Sequence, residues 1–393
     1  MNPVHELPAR FARTAAAEHP ASPVPPEEVT IAWMGDAMLG RGVDQILPHP
    51  SDPVLYERLA GSAKDYLRLA QRASGSFATP VGLGYIWGDA IADLATPVAA
   101  LRIVNLETSI TTSATPAAKD VLYRMHPANA ACLRELPVDC CVLANNHVLD
   151  WGRAGLRETL RSLDALGIAH AGAGRSACEA AAPAILPIAP TARVLVYGYG
   201  LASSGIPEPW RARHARAGIQ RLEPSTAALE RIARRVRAQR LPGDLVVASV
   251  HWGGNWGYPI EPEQRELAHA LIDVAGFDLV HGHSSHHAKG IEIHRGRLIL
   301  HGCGDFINDY EGLGGRTDCR ADLAVAYLAR CRLADGTLSA LTLFPYRIRR
   351  MRLQRADGAE REALRSILDR ESAPLGTHVG IGADGQLTAY PSG

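Results

Sequence analysis

The chain has 393 residues, 47% of them hydrophobic, which is enough for one large α/β domain or two smaller ones. Its formal net charge is zero, so composition argues against a protein that is steered towards nucleic acid or an acidic membrane surface. The seven cysteines form no CxxC pair, which favours reduced thiols over a disulfide framework or a structural zinc site.

The N-terminal residues 1–28 are rich in Ala and Pro and predict a disordered lead-in. This stretch lacks the apolar core of a secretory signal, and no run approaches the ~20 apolar residues of a membrane helix. We therefore expect a cytoplasmic protein with no membrane span and no nucleic-acid partner.

Apolar runs typical of buried strands recur along the chain, with helical patterns between them. The predicted strands are 29–34, 101–106, 140–144, 193–197, 245–250, 277–280 and 298–300. The predicted helices are 54–72, 153–166, 226–240 and 262–275. This alternation indicates an α/β fold with helices covering a largely buried sheet. Three further runs (323–329, 338–344 and 347–353) have no helix between them and predict added antiparallel strands, before a last helix at 360–370.

Six polar clusters each follow a predicted strand directly. They are 35–36, 105–107, 145–147 with Asp150, 251–253, 282–287 and 302–306. Ligands of open α/β sheets bind in the crevice at the carboxyl ends of the strands, so we expect one convergent site. Carboxylate, amide and imidazole ligands together suit one or two first-row divalent cations, Mn²⁺, Fe²⁺ or Zn²⁺. Such ions polarise a phosphoryl or carbonyl oxygen and activate water.

The predicted roles divide the polar residues into three groups. The metal ligands are Asp36, Glu107, Asn146, His251, His283 and His286. The catalytic residues are His147, as a proton donor beside the metal, and Asp150. The substrate-binding residues are Arg41, Asn105, Trp252, Asn255 and Asp305. Taken singly, Asp36 equally fits a turn cap, residues 145–147 a turn bonded to its own backbone, and His251 a satisfied buried histidine. The joint occurrence at strand ends favours the site.

The ordered motifs resemble the CapA family, the bacterial poly-γ-glutamate capsule synthesis proteins related in fold to calcineurin-like metallophosphoesterases. The motifs are GDAMLGR (35–41), NLE (105–107), ANNHVLDWG (144–152), HWG (251–253) and GHSSH (282–286). The resemblance covers about 29–309. The longer strings at 40–48, 251–258 and 302–312 resemble most the branch of polyglutamine synthesis accessory proteins.

The resemblance implies an α/β fold of the calcineurin-like type, an αββα sandwich with a metal site at one sheet edge. It implies a domain at 29–345 and a C-terminal extension, 346–393, packing on it. Three departures reduce the expected ligand set. Met38 stands where the phosphoesterase Asp-x-His motif has its histidine, Asn105-Leu106-Glu107 replaces Gly-Asp-x-x-Asp, and Asn255 replaces the glutamate of His-Trp-Gly-x-Glu.

Two functions follow as hypotheses. The first is a metal-dependent hydrolase of a phosphoester or amide, acting in the synthesis, export or processing of a polyglutamate or polyglutamine polymer of capsule or cell wall, with His147 protonating the leaving group. The alternative is a non-catalytic accessory subunit that binds the polymer, its precursor or its synthesis proteins, with Trp252, Trp256 and Tyr258 lining a groove. A stand-alone ATP-dependent ligase is disfavoured because the sequence has no G-x-x-x-x-G-K-[ST] motif.

Overall fold

The computed structural model describes residues 26–58, 60–95, 98–314, 319–382 and 385–392. The strands within these ranges are β1 Glu28–Ala37, β2 Leu101–Leu106, β3 Ser109–Ile110, β4 Arg124–Met125, β5 Cys140–Val142, β6 Ala169–Ala171, β7 Ala173–Gly174, β8 Ala184–Ala189, β9 Ala192–Gly200, β10 Gly218–Ile219, β11 Leu245–His251, β12 Leu279–His283, β13 Ile291–His294, β14 Arg297–Leu300, β15 Asp305–Ile307, β16 Leu323–Arg332, β17 Leu338–Ile348, β18 Leu353–Arg355, β19 Thr377–Ile381 and β20 Leu387–Pro391. The α-helices are α1 Arg41–Ile46, α2 Ala63–Ser74, α3 Ala90–Asp93, α4 Cys132–Glu135, α5 Gly152–Leu166, α6 Ala177–Ala181, α7 Thr226–Gln239, α8 Pro262–Asp273 and α9 Gly358–Ser372.

The larger sheet joins a parallel half to an antiparallel half. Its strand order is β19-β20-β17-β16-β1-β2-β5-β6, with β15 paired to β1 and β18 to β17. Strands β1, β2, β5 and β6 are parallel, whereas β16 to β20 pair antiparallel with their neighbours. The predicted C-terminal antiparallel strands are therefore confirmed.

The smaller sheet has six strands in the order β13-β14-β12-β11-β9-β8. Its four central strands are parallel, and β8 and β13 close the two edges in antiparallel pairs. Parallel strands covered on both faces are expected to be continuously apolar. The run Val246–Val250 within β11 fits this rule, since all of its residues are buried and only Ser249 is polar.

Three hydrophobic clusters separate four layers. The first packs the larger sheet against α1 to α5 and includes Val104 of β2 with Leu156 and Leu160 of α5. The second lies between the two sheets and holds Trp33 and Val194. The third packs the smaller sheet against α7 and α8. This helix–sheet–sheet–helix order confirms the predicted α/β αββα sandwich.

The C-terminal residues share the larger sheet with the rest of the chain. Strand β17 crosses the predicted boundary at 345/346, and β18 to β20 extend the same sheet. Leu364 and Leu368 of α9 join the cluster between the sheets. At the other end, the predicted lead-in 1–28 lies mostly outside the described residues, and Glu28 already pairs with Arg332. The division into a domain and an extension stays a prediction.

Two predicted elements are wrong in their extent. The predicted helix 54–72 begins only at Ala63, because Leu55 N–H donates to Gly61 O (3.1 Å) and Ala63 N–H donates to Pro53 O (2.7 Å), contacts that are not those of a helix. The predicted strand 347–353 is interrupted, since Arg350 and Met351 have φ of +57° and +52° and turn the chain between β17 and β18.

Strand register brings the polar ends of both sheets to one side. His251 at the end of β11 lies opposite His283 at the end of β12. Asp36 near the end of β1 lies opposite Asn105 of β2 and Asp305 of β15. Among the helices of the described ranges, none combines the length and hydrophobicity that a membrane span requires.

Candidate metal centre

Two groups of three metal-ligating side chains share Asp36. One is Asp36, His251 and His283; the other is Asp36, His286 and Asp305. Within each group the ligand atoms lie within 4.8 Å of one another, and all five residues are buried. Asp36 stands between the two sheets, since its Oδ2 accepts a hydrogen bond from Ser284 N (3.1 Å), which follows β12. One carboxylate is thus in reach of two candidate ions.

The carboxylates at this site lack a sufficient positive partner. Burial and the nearby Asp305 charge raise the pKa of Asp36 to about 7. Burial, followed by the Asp36 charge, raises the pKa of Glu107 well above its usual value. Glu107 Oε2 is buried and has no hydrogen-bond partner within the described part of the chain. A buried carboxylate is stable only when paired or bound to a cation, so this donor set fits a divalent metal.

A hydrogen-bond relay fixes the tautomers of three neighbouring imidazoles. Met34 O can only accept, so His281 Nε2 (3.1 Å away) carries a proton and its Nδ1 accepts from Ser249 Oγ at 2.9 Å. The same hydroxyl then accepts from His283 Nε2 at 3.0 Å, which leaves His283 Nδ1 as an acceptor for His251 Nδ1 at 2.8 Å. The relay therefore ends with a lone pair on His251 Nε2. Both nitrogens of His283 take part in the relay, so His283 Nδ1 can bind a metal only when the His251 ring turns away from it.

That lone pair faces a second acceptor. Asn146 Oδ1 lies 3.1 Å from His251 Nε2, and Glu107 Oε1 lies 3.8 Å from the same nitrogen. Burial lowers the pKa of His281 to about 4 and the pKa values of His251 and His283 well below the usual value, so no extra proton resolves the contact at neutral pH. A cation between the acceptors would resolve it, and so would rotation of the Asn146 amide.

The second group is organised around His286. Its Nδ1 lies 2.9 Å from Asp305 Oδ1, and although burial opposes the charged form, the Asp305 charge raises the pKa of His286. Asn308 Nδ2 donates to Asp305 Oδ2 (2.7 Å), and Tyr310 OH lies 3.4 Å from His286 Nε2. Asp305, predicted to bind substrate, is therefore located among the candidate metal ligands.

His147 lies beside the metal ligands with a fixed orientation. Its Nδ1 donates to Asp150 Oδ2 at 2.6 Å, because a carboxylate only accepts. Nε2 consequently carries the lone pair, 3.7 Å from Glu107 Oε1. The pKa of His147 is lowered to about 4, chiefly by burial. Neutral His147 must therefore accept a proton at Nε2 before it can donate one. Its predicted role as a proton donor requires this earlier step.

Lys119 contacts the His147–Asp150 pair, and it was not predicted from the sequence to belong to the site. Its Nζ donates to Asp150 Oδ1 (2.8 Å) and to Asn146 O (2.6 Å). It compensates the buried charge of Asp150, whose Oδ2 also accepts from Tyr123 N at 2.7 Å. Lys119 comes from the long connection between β3 and β4, which has no motif that would have revealed it. His281 was also missed, but its place in the site could have been predicted, because it lies two residues before His283 on the same face of a strand.

The predicted substrate-binding residues occupy different environments. Asn105 Nδ2 donates to Asp36 Oδ1 at 2.7 Å and so orients a candidate ligand. Trp252 is buried against the helices, with its indole N–H bonded to His301 O at 2.9 Å. Asn255 is exposed, and its carbonyl oxygen accepts from His286 N at 3.0 Å.

Arg41 is buried in a cage of acidic and aromatic side chains. Its guanidinium donates to Asp309 Oδ1 and Oδ2 (2.5 and 2.8 Å) and to Glu57 (3.0 Å), and it stacks 3.7 Å from the centre of the Tyr66 ring. Together with a bond to Tyr66 OH (3.0 Å), these contacts use four of the about five N–H donors of a guanidinium. Its predicted role in substrate binding therefore stays a prediction.

The fold, the shared Asp36 carboxylate and the histidines at the strand ends are the features to compare with known protein families. The family model described as "Bacterial capsule synthesis protein PGA_cap" matches residues 30–310, and the chain belongs to this family. The predicted resemblance is thereby confirmed. The chain is 44% identical over 370 residues to a "Probable polyglutamine synthesis accessory protein" of Mycobacterium tuberculosis, covering 93% of this chain and 97% of the relative.

More distant relatives and solved structures were also found. "Capsule biosynthesis protein CapA" of Bacillus anthracis is 23% identical over 330 residues, covering 82% of this chain and 68% of the relative. A crystal structure described as a novel phosphatase of Mycoplasma pneumoniae matches with a TM-score of 0.42 and 9% identity, covering 85% of this chain and 96% of that one. No conclusion on activity follows from a structural likeness of that size.

Proposed function

We propose that the protein is a metal-dependent hydrolase that acts in the synthesis, export or processing of a polyglutamate or polyglutamine polymer. The observation that carries the proposal is Asp36, shared by two buried three-ligand groups. The polymer is suggested by the names of the relatives, one a polyglutamine synthesis accessory protein and another a capsule biosynthesis protein. The bond cleaved would be a phosphoester or an amide.

The candidate metal residues in this proposal are Asp36, Glu107, Asn146, His251, His283, His286 and Asp305, with Mn, Fe or Zn as one or two ions. A metal ion here would polarise the oxygen of the scissile group and lower the pKa of water. Asn105 orients Asp36, and the Ser249 relay orients His283 and His251. Orienting partners of this kind commonly affect metal affinity by about 10- to 100-fold.

His147 would move the proton in this mechanism. In its neutral form, Nε2 takes a proton from the attacking water as the new bond to the substrate forms. The same nitrogen then returns that proton to the leaving oxygen or nitrogen as the scissile bond breaks. Asp150 holds Nδ1–H at 2.6 Å and stabilises the transient imidazolium, and Lys119 pairs with Asp150 and holds it in place.

The test is hydrolysis of an aryl phosphodiester, an aryl phosphomonoester and glutamyl and glutaminyl oligomers by metal-loaded protein. We expect at least one of them to be cleaved, with a rate that chelation abolishes and that His147→Ala lowers by about 100-fold or more. Equal rates for the wild type and His147→Ala would remove His147 from the mechanism. No cleavage of any substrate by metal-loaded protein would contradict the hydrolase.

One observation favours a second candidate, a non-catalytic subunit that binds the polymer or its synthesis proteins. Met38, buried beside the site, stands where phosphoesterases place a histidine ligand, so the potential ligand set is smaller. This candidate predicts that His147→Ala supports polymer production in cells as well as the wild type does. The hydrolase predicts that it does not.

A further inference from the structure

A cavity of about 660 Å³ opens beside the His286 group. It is lined by Trp256, Tyr310, Leu313 and Ile348, together with the backbone of Gly312 and Gly314. The ring of Trp256 lies 5.2 Å from the ring of His286, and the ring of Tyr310 lies 5.3 Å from it. A chain that occupies this cavity therefore passes directly by the candidate metal ligands.

The ionised groups on the cavity wall are balanced in charge. Among the described lining residues they are Arg320, Arg347, Glu311 and Asp322, two cations and two anions. Arg320 makes a two-point pair with Asp322, through Nε at 2.8 Å and Nη2 at 3.0 Å. Arg347 donates to Glu360, which lies outside the cavity. The wall consequently offers no surplus positive charge to a polyanion.

The remaining surface suits a neutral polyamide. Trp256 and Leu313 are 37% and 41% exposed, so they present apolar faces on which methylene groups can pack. Glu311 is bonded to Ser74 and to Met351 N (3.2 Å) and is thereby held against the wall.

We propose that this cavity binds an extended polyamide whose side chains end in neutral amides, in preference to one whose side chains are carboxylates. The inference rests on the proposed function, because it assigns the substrate class of the same site. It rests on the paired arginines and the exposed apolar side chains, and it makes Arg320, Asp322 and Leu313 determinants of specificity.

The experiment measures binding of end-labelled glutamine and glutamate oligomers of equal length to full-length protein, by fluorescence anisotropy at neutral pH with and without added Mn²⁺. We expect the glutamine oligomer to bind roughly tenfold more tightly. Asp322→Asn, which releases the charge of Arg320, should strengthen glutamate binding by roughly two- to fivefold and so reduce the preference for the glutamine oligomer. Tighter or equal binding of the glutamate oligomer to the wild type would overturn the proposal.

A matched pair of variants locates the bound chain. Leu313→Asp places a charge on the cavity wall and should weaken binding of both oligomers, whereas Leu241→Asp, at a similarly exposed leucine elsewhere, should not. Unchanged binding by Leu313→Asp would overturn the assignment to this cavity. The measurement needs no turnover, so a protein that discriminates the oligomers without cleaving any substrate would contradict the hydrolase alone.

Discussion

His251 Nε2 and Asn146 Oδ1 lie 3.1 Å apart, and the relay from Met34 O through Ser249 leaves on His251 Nε2 a lone pair that faces this amide oxygen. Two acceptors in a buried site repel each other unless a proton or a cation lies between them. The nearby Glu107 carboxylate also has a buried oxygen without a hydrogen-bond partner in the described ranges. A third acceptor near this contact therefore lacks a donor. A cation between the acceptors would relieve this repulsion, and so would rotation of the Asn146 amide.

Removal of the relay hydroxyl should weaken metal binding. Ser249→Ala leaves the Nε2–H of His283 and the Nδ1 of His281 without their shared partner, so both rings lose a fixed orientation. We expect metal affinity to fall by about 10- to 100-fold, measured by competition with a chelator. Ser285→Ala is the control, because that hydroxyl donates to His287 O and touches no imidazole nitrogen. Equal affinities for the two variants would contradict the relay.

Metal binding should weaken as the pH falls through neutrality. The raised pKa of Asp36, about 7, means that a proton occupies this carboxyl below pH 7 and must leave before it can ligate. Affinity should therefore fall by at least about tenfold per pH unit below 7, because the pKa values of Glu107 (through burial) and His286 (against burial, through the Asp305 charge) are also raised and their protons must leave as well. His251 and His283, whose pKa values burial lowers, stay neutral over this range and add no dependence. Titrations at pH 6, 7 and 8 that gave one constant affinity would refute this linkage.

Asp150 should act on the rate of proton transfer and leave metal binding unchanged. Asp150→Asn removes the charge that orients His147 and stabilises its protonated form, so we expect kcat to fall by about 100-fold or more with unchanged metal content. Asp164→Asn is the matched control, since Asp164 pairs with the more exposed His170 at 3.1 Å, away from the site. A loss of metal in Asp150→Asn would show that the pair supports the ligands and not the proton transfer.

Arg41 should contribute chiefly to stability. Arg41→Met leaves the buried Asp309 without its two-point partner, and loss of one member of a buried pair commonly costs about 3–5 kcal/mol in the free energy of unfolding. Arg68→Met, which breaks an exposed pair with Asp65, should change it by about 1 kcal/mol or less. Denaturant unfolding compares the two. A variant of Arg41 with wild-type stability but a raised KM would instead support the predicted substrate-binding role.

Much of the fold could be predicted because its signals are local. Continuous apolar runs such as 245–250 mark buried parallel strands, and helices such as α5 and α7 follow from the spacing of their apolar residues. The site motifs were visible because each comes directly after such a strand. At 54–72 the local pattern predicted a helix that starts too early. The periodic pattern extends to residues before Ala63 that are not helical, and one of them, Glu57, accepts a hydrogen bond from Arg41.

The rest depends on contacts between distant parts of the chain. No local pattern pairs β1 with β16, or shows that Lys119 reaches Asp150 from an irregular connection. Asp305 was predicted to bind substrate because its cluster follows a strand. Only the pairing of β15 with β1 brings it to Asp36. The role of a residue inside a site therefore depends on the register between strands, and that register cannot be predicted from the spacing of residues in the sequence.

The central claim, a metal centre built on Asp36, is tested most directly by metal content. Protein purified without chelator and supplied with Mn, Fe and Zn should hold one or two ions per chain by plasma mass spectrometry. Asp36→Asn should lose this metal while keeping the wild-type circular dichroism spectrum, and Asp65→Asn, at an exposed aspartate of α2, should keep it. Metal-free wild-type protein, or an Asp36→Asn variant that holds as much metal as the wild type, would contradict the account.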